Sequence, residues 1–227
     1  MTTKYWCMII NKADNPYIVF DLDDTLFQEV DYLKSAYKEI AKLVSPANPD
    51  HVYSEMFERY KAGENVFAWL IIQYGSEVED LTVQKLIKLY REHYPEITLA
   101  EDVHDFITRL NSASVSFGLI TDGRSMTQRN KLKALGIEEM FTDLVISEEF
   151  GSEKPDERNY LYYMDKHPGS YFYYIGDNTG KDFIVPARLG WTTVCIKDRG
   201  LNIHPQDLDR LPVPDYIVST FKEIEIA

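Results

Sequence analysis

Residues 17–26 read Tyr17-Ile18-Val19-Phe20-Asp21-Leu22-Asp23-Asp24-Thr25-Leu26. The run from Tyr17 to Leu22 is apolar and β-branched, and it predicts a buried strand of a parallel sheet, where both faces are covered. It ends in carboxylates, and the carboxyl ends of parallel strands are where such sheets bind ligands. Once the chain leaves strict strand alternation, Asp21 and Asp23 can both reach one pocket.

Similar runs recur at Val115–Ile120, Leu144–Ile146, Tyr171–Ile175 and Thr192–Ile196, with a further short strand at Tyr216–Val218. Each of the first four precedes a polar or glycine-containing turn, and helical stretches lie between them, which predicts an α/β fold on a parallel sheet. Gly136 stands where a C-terminal cap belongs after a helix over Met126–Leu135, and Pro155 is expected at the entrance of the next helix. From Gln28 to Thr98 the pattern changes. Leu33, Tyr37, Ile40 and Val44 share one helical face, as do Val83, Leu86, Tyr90 and Tyr94; a helix capped by Asp50 and another over Asn65–Tyr74 lie between. Some seventy residues of helix inserted after one strand predict a small bundle (28–98) on a core made of 1–27 and 99–227, with hinges near Phe27 and Pro95–Leu99.

The chain has 227 residues, 44% of them apolar, and a formal charge of −13. That length suits one core with a small satellite, and that charge repels nucleic acid and anionic lipid. The longest apolar run, Val66–Ile72, is far short of the ~20 residues that span a bilayer. Residues 1–12 fail the signal-peptide pattern, and Cys7 and Cys195 are expected as buried, reduced thiols. A cytoplasmic protein with no membrane partner is the expectation.

The residue types at the strand ends suit phosphoryl transfer. A carboxylate held against a divalent cation stays ionised and can attack phosphorus, while a second carboxyl beside it keeps a proton; Asp21 is the expected nucleophile and Asp23 the expected acid, then base. Thr121-Asp122-Gly123 offers a hydroxyl and amides for phosphoryl oxygens, Lys154 a fixed positive charge, and the segment from Gly176 to Asp182 carboxylates for magnesium, with Asp177 as direct ligand. Arg124, next to the second segment, is the specificity candidate. Asp24 is read as turn chemistry and Thr25 as a tie to the nucleophile's backbone. The basic residues of the inserted helices, Lys34 and Arg59 among them, are read as a solvated face, and the tyrosines between 160 and 174 as core packing.

In order and spacing these segments resemble the haloacid dehalogenase superfamily, in its phosphatase branch with a helical cap inserted after the first motif. Asp21, Asp23 and Thr25 match its first motif, Thr121 its second, Lys154 its third, and Asp177 with Asp182 its fourth; residues 131–155 resemble it without adding chemistry of their own. The resemblance implies a Rossmann-like three-layer core and Mg2+ bound by the Asp21 carboxylate, the Asp23 carbonyl and Asp177. It also implies that Asp182 orients Lys154 or a metal-bound water. The implied activity is hydrolysis of a small phosphorylated metabolite, a sugar phosphate or nucleoside monophosphate. A phosphomutase would share every motif. A signalling module phosphorylated on aspartate is the alternative outside enzymes, but receivers carry that residue after their third strand and lack a long helical insertion.

Overall fold

The computed structural model describes residues 8–227. Within them β2 (Pro16–Phe20) is buried at every position. It lies in the middle of a six-stranded sheet with β3 (Ser116–Thr121), β4 (Asp143–Ile146), β5 (Tyr171–Gly176), β6 (Thr192–Ile196) and β7 (Tyr216–Val218). The spatial order is β4-β3-β2-β5-β6-β7, every pairing is parallel, and Ile18 stands between Phe117 and Tyr173. The chain therefore steps outward from β2 on one side, returns, and steps outward on the other. The carboxyl end of β2 is the point where the order reverses, and a crevice opens there.

Alternation along β2 serves two apolar layers. Ile18 and Phe20 face a cluster that includes Phe106, Phe117 and Phe221, while Tyr17 and Val19 face one that includes Tyr163, Tyr174 and Trp191. Phe20 is fully buried and meets the rings of Phe106, Phe117 and Phe141 edge-on at 6.1–6.4 Å. Burying one such side chain contributes roughly 1.5–3 kcal/mol. The layers are closed by α5 (Glu101–Ser112), α6 (Ser125–Ala134), α7 (Ser147–Phe150), α8 (Arg158–Lys166) and α9 (Ile184–Arg188). Of the tyrosines expected as packing, Tyr160, Tyr163, Tyr173 and Tyr174 are buried, whereas Tyr171 is exposed.

Between β2 and β3 run α1 (Glu29–Val44), α2 (Pro49–Lys61), α3 (Val66–Tyr74) and α4 (Val83–Glu92), which share an apolar cluster of their own. Leu33, Tyr37, Ile40 and Val44 are all buried in it. On α4 the expected face holds only in part: Leu86 is buried, but Val83 and Tyr94 are exposed. The helix stops at Glu92 and His93 is extended, so Tyr94 leaves the helical face. The α2 helix begins before Asp50, because Asn48 is its N-cap and Pro49, with φ already fixed, opens it. Pro155 does not open a helix either; it lies in a turn closed by Asp156 N–H to Glu153 O (2.8 Å), and α8 starts at Arg158. One pairing was absent from the sequence reading: β1 (Met8–Ile10) runs parallel to β8 (Ile224–Ile226). Cys195 is buried and free, and Cys7 lies outside the described residues.

Candidate active site

Asp21 follows β2 directly. Its amide still donates to the Ile175 carbonyl at 2.9 Å, which holds the residue at the carboxyl edge of the sheet. The chain then turns tightly, with Leu26 N–H donating to Leu22 O at 3.0 Å and Asp24 at φ +55°. That left-handed conformation is uncommon outside glycine. Asp24 is held in it by two backbone donors, Glu29 N–H and Ile203 N–H, each 2.8 Å from one carboxylate oxygen. It ties the start of α1 to the segment after β6, which gives the expected turn residue a wider reach.

Four separate stretches converge on this edge. Asp21, Asp23, Thr121, Asp122, Lys154 and Asp177 all line one cavity of about 110 Å³. At its floor the Lys154 ammonium lies 2.6 Å from Asp21 Oδ1 and 2.9 Å from Asp182 Oδ1, with only 1% of the lysine side chain exposed. Asp182 is fully buried and its other oxygen accepts from Asn178 N–H at 2.9 Å. Asp177 is buried, takes a hydrogen bond from Asn202 Nδ2 at 2.8 Å, and faces the Thr25 hydroxyl at 3.4 Å. The expected tie from the Thr25 side chain to the nucleophile's backbone is therefore a contact with Asp177 instead.

Carboxylate oxygens of Asp21, Asp177 and Asp182 come within 4.8 Å of one another, all three residues buried. Desolvation raises the Asp21 carboxyl to about 7, against the pull of Lys154 and with a push from Asp182. Desolvation, then Asp21 and Asp182, raise Asp177 to about 9. Burial draws the Lys154 ammonium down, but Asp182 and Asp21 outweigh it and hold it well above the usual lysine range. Buried carboxylates crowded in this way are balanced by protons or by a further cation, and an all-oxygen donor set suits a hard divalent ion. Asp21 and Asp177 line the cavity and Asp182 does not, so those two are the pair placed to hold it.

Other expected roles change. Gly123, at φ +145°, has its amide donating to Ser147 Oγ at 2.9 Å rather than presented to the cavity. The Asp122 carboxylate accepts from Lys154 N–H at 2.9 Å and pairs with Lys181 at 2.7 Å, so it braces the loop bearing Lys154. Arg124 does not line the cavity with the acids. It pairs with Glu148 at 3.2 Å and borders a separate groove between α4 and α6.

Residues outside the motifs complete the site. Both Asp23 oxygens are bound from α6, by Lys131 Nζ at 2.6 Å and Gln128 Nε2 at 2.9 Å, which corrects the reading that residues 131–155 add no chemistry. Glu29, the first residue of α1, lines the cavity, and desolvation followed by the nearby Asp23 raises it to about 8. The i, i+3 spacing of Gln128 and Lys131 on the helix leaving a motif strand was the available signal. Lys34 pairs with Asp31 and Arg59 with Glu64, and the Arg59 guanidinium also lies 4.5 Å from the centre of the Trp69 ring, so that side chain is partly packed where a solvated face was expected.

Residues 18–196 match the family of haloacid dehalogenase-like hydrolases. The chain belongs to this family. Relatives of this hydrolase include a glyceraldehyde 3-phosphate phosphatase of Methanocaldococcus jannaschii, 28% identical over 91% of this chain and 94% of that protein. A human N-acylneuraminate-9-phosphatase is 32% identical over 56% of this chain and 51% of its own. Among solved structures, the putative HAD-hydrolase YfnB of Bacillus subtilis, bound to magnesium, superposes with a TM-score of 0.59 at 20% identity, covering 92% of this chain and 96% of that one. A HAD phosphatase from Thermococcus onnurineus gives 0.59 at 19% identity, covering 92% and 95%; both likenesses concern the fold. No helix among the described residues is long and apolar enough to cross a membrane.

Proposed function

We propose that this hydrolase cleaves small phosphate monoesters through a phosphorylated Asp21. The observation that carries the reading is the floor of the cavity, where Lys154 bridges Asp21 and Asp182 while Asp177 adds a third buried carboxylate. Asp21 and Asp177, with the Asp23 carbonyl, would hold Mg2+, which supplies a Lewis acid for the phosphoryl oxygens. An Asp21 oxygen attacks phosphorus, the bond to the leaving oxygen breaks, and Asp23 protonates that oxygen. Asp23, now a carboxylate, takes a proton from the water that attacks the same phosphorus and frees Asp21. Thr121 presents its hydroxyl to the phosphoryl group, and Lys154 offsets the negative charge beside it.

The helices of residues 28–98 act as a cap over the cavity, and Glu29 is their contribution to its wall. A cavity this small suits a compact substrate, and a sugar phosphate of the kind named for the Methanocaldococcus jannaschii relative fits that class. Asp21→Asn is expected to abolish Mg2+-dependent turnover in a panel of phosphorylated metabolites while the protein stays folded. With p-nitrophenyl phosphate, whose leaving group departs without a proton, Asp23→Asn is expected to accumulate phosphoprotein, read by intact mass after acid quench. Undiminished turnover by Asp21→Asn, or full turnover in excess chelator, would remove the covalent, metal-assisted mechanism.

A further inference from the structure

Asp23 is not left to the loop that carries it. Lys131 reaches its Oδ1 at 2.6 Å from the face of α6, and Gln128, one turn earlier, reaches its Oδ2 at 2.9 Å. The same Gln128 nitrogen lies 2.5 Å from the Thr121 hydroxyl, so a single amide group spans the acid and the second motif. Lys131 and Gln128 are 3% and 1% exposed. The Lys131 ammonium stands 4.6 Å from the centre of the Tyr32 ring and 5.8 Å from that of Phe27, both supplied by the hinge and the first inserted helix. A lysine buried among aromatic faces is tolerated when an acid's oxygen accepts from it, and here Asp23 Oδ1 does so, which leaves Oδ2 to carry the proton. Gly123 contributes space: a Cβ there would approach the Gln128 side chain to 3.1 Å.

We propose that Lys131 is the positioning residue of the leaving-group acid, with Gln128 as its second arm. The proposal rests on the reading of Asp23 as that acid. Asp23 must point one oxygen at the departing alkoxide, and a short side chain on a turn does not fix that direction unaided. Two donors from one rigid helix face fix it, and Gln128 keys it to Thr121, where the phosphoryl group binds. When the phosphorus–oxygen bond breaks, its electron pair goes to the leaving oxygen and the Asp23 proton follows it. The carboxylate left behind faces the Lys131 ammonium.

Leaving groups separate this role from a structural one. An alkyl alkoxide departs only with a proton, whereas p-nitrophenolate departs without one. The measurement is kcat/KM with Mg2+ for glycerol 1-phosphate and for p-nitrophenyl phosphate, since kcat/KM reports the steps through phosphorylation of Asp21. General acids supply about 10²–10⁴-fold. Lys131→Met and Gln128→Met, which keep side-chain volume, are therefore expected to lower kcat/KM for the alkyl ester by about tenfold or more, and for the aryl ester by less than about threefold. Asp23→Asn is the reference and is expected to widen the same ratio further. Equal losses on both esters in the Lys131 and Gln128 variants, with the ratio still shifted in Asp23→Asn, would overturn the positioning role and leave the acid in place. An unchanged ratio in Asp23→Asn would overturn the reading of Asp23 itself, and the proposal with it.

Discussion

Lys154→Met tests the charge arrangement at the floor of the site in a way that does not need a substrate. The lysine side chain is 1% exposed and lies within 3 Å of two carboxylates, one of which, Asp182, has no exposed surface. Methionine keeps the volume and removes the charge, leaving both acids buried without their cation. Removing one partner of a buried ion pair costs about 3–5 kcal/mol. In a chain of this size each kcal/mol moves the melting temperature by about 2–4 °C, so metal-free Lys154→Met should melt roughly 6–20 °C below the parent. The penalty depends on pH. Asp21 already stands at about 7 with the lysine present, and the lysine lowers it. Without that cation the folded form holds its proton more strongly still, while the unfolded chain releases it in the ordinary carboxylate range. A group raised on folding loses stability as pH rises through that interval. The deficit should therefore be largest near about pH 8 and shrink near about pH 5, measured by thermal or urea unfolding in chelator. A variant within about 1 kcal/mol of the parent near about pH 8, or one whose deficit grows as the pH falls, would refute the reasoning.

The parent should show the same sign in milder form: with Asp21 raised to about 7, Glu29 to about 8 and Asp177 to about 9, the metal-free protein loses stability as pH climbs from about 5 to about 9, and Mg2+ flattens the slope. Asp102 and Asp143, whose carboxyls are held below the usual range, act only at lower pH, and His93, drawn down by burial, opposes the trend only below the ordinary histidine range, so melting that rises from about pH 7 to about pH 9 without metal would contradict the assignment. In the second layer, Gly118→Ala is expected to cost about 1–3 kcal/mol, because the new Cβ would clash with the Tyr163 ring, and that ring is pinned by its hydroxyl 2.7 Å from Leu119 O. Denaturant melts of equal stability would mean that β3 can slide off the ring.

Most of the sheet was legible because buried parallel strands read as unbroken apolar runs, and β2 is buried from end to end. Helix faces were legible where the helix continues, as in α1, and misread where it stops, as at Tyr94. The β1–β8 pair was not legible because each strand has three residues, too few for a period, and their partners are separated by almost the whole chain. In the site, the motif spacings located Asp21, Asp23, Thr121, Lys154 and Asp177 on one cavity because each ends or follows a strand of the same sheet edge. Spacing says nothing of direction, however. Arg124 is adjacent to the second motif and still faces Glu148, since Gly123 at φ +145° turns the chain just before it.

The same distinction explains why the cavity needs partners from outside the motifs. Six of its lining residues, Asp21, Asp23, Asp24, Glu29, Asp122 and Asp177, carry carboxyl groups, against the lysines 154 and 181. Both lysines are already paired, with Asp21 and Asp182 in one case and Asp122 in the other. A phosphate monoester entering that field is repelled until a divalent ion balances it, and the repulsion is strongest where water is excluded. The motifs therefore concentrate negative charge by design of their chemistry, and the neighbouring helices must supply what keeps each acid distinct. Lys131 pairs with Asp23 and Lys154 with Asp21, two ammoniums on separate elements that place two carboxyls of one loop in different surroundings, as the proposed division of roles requires.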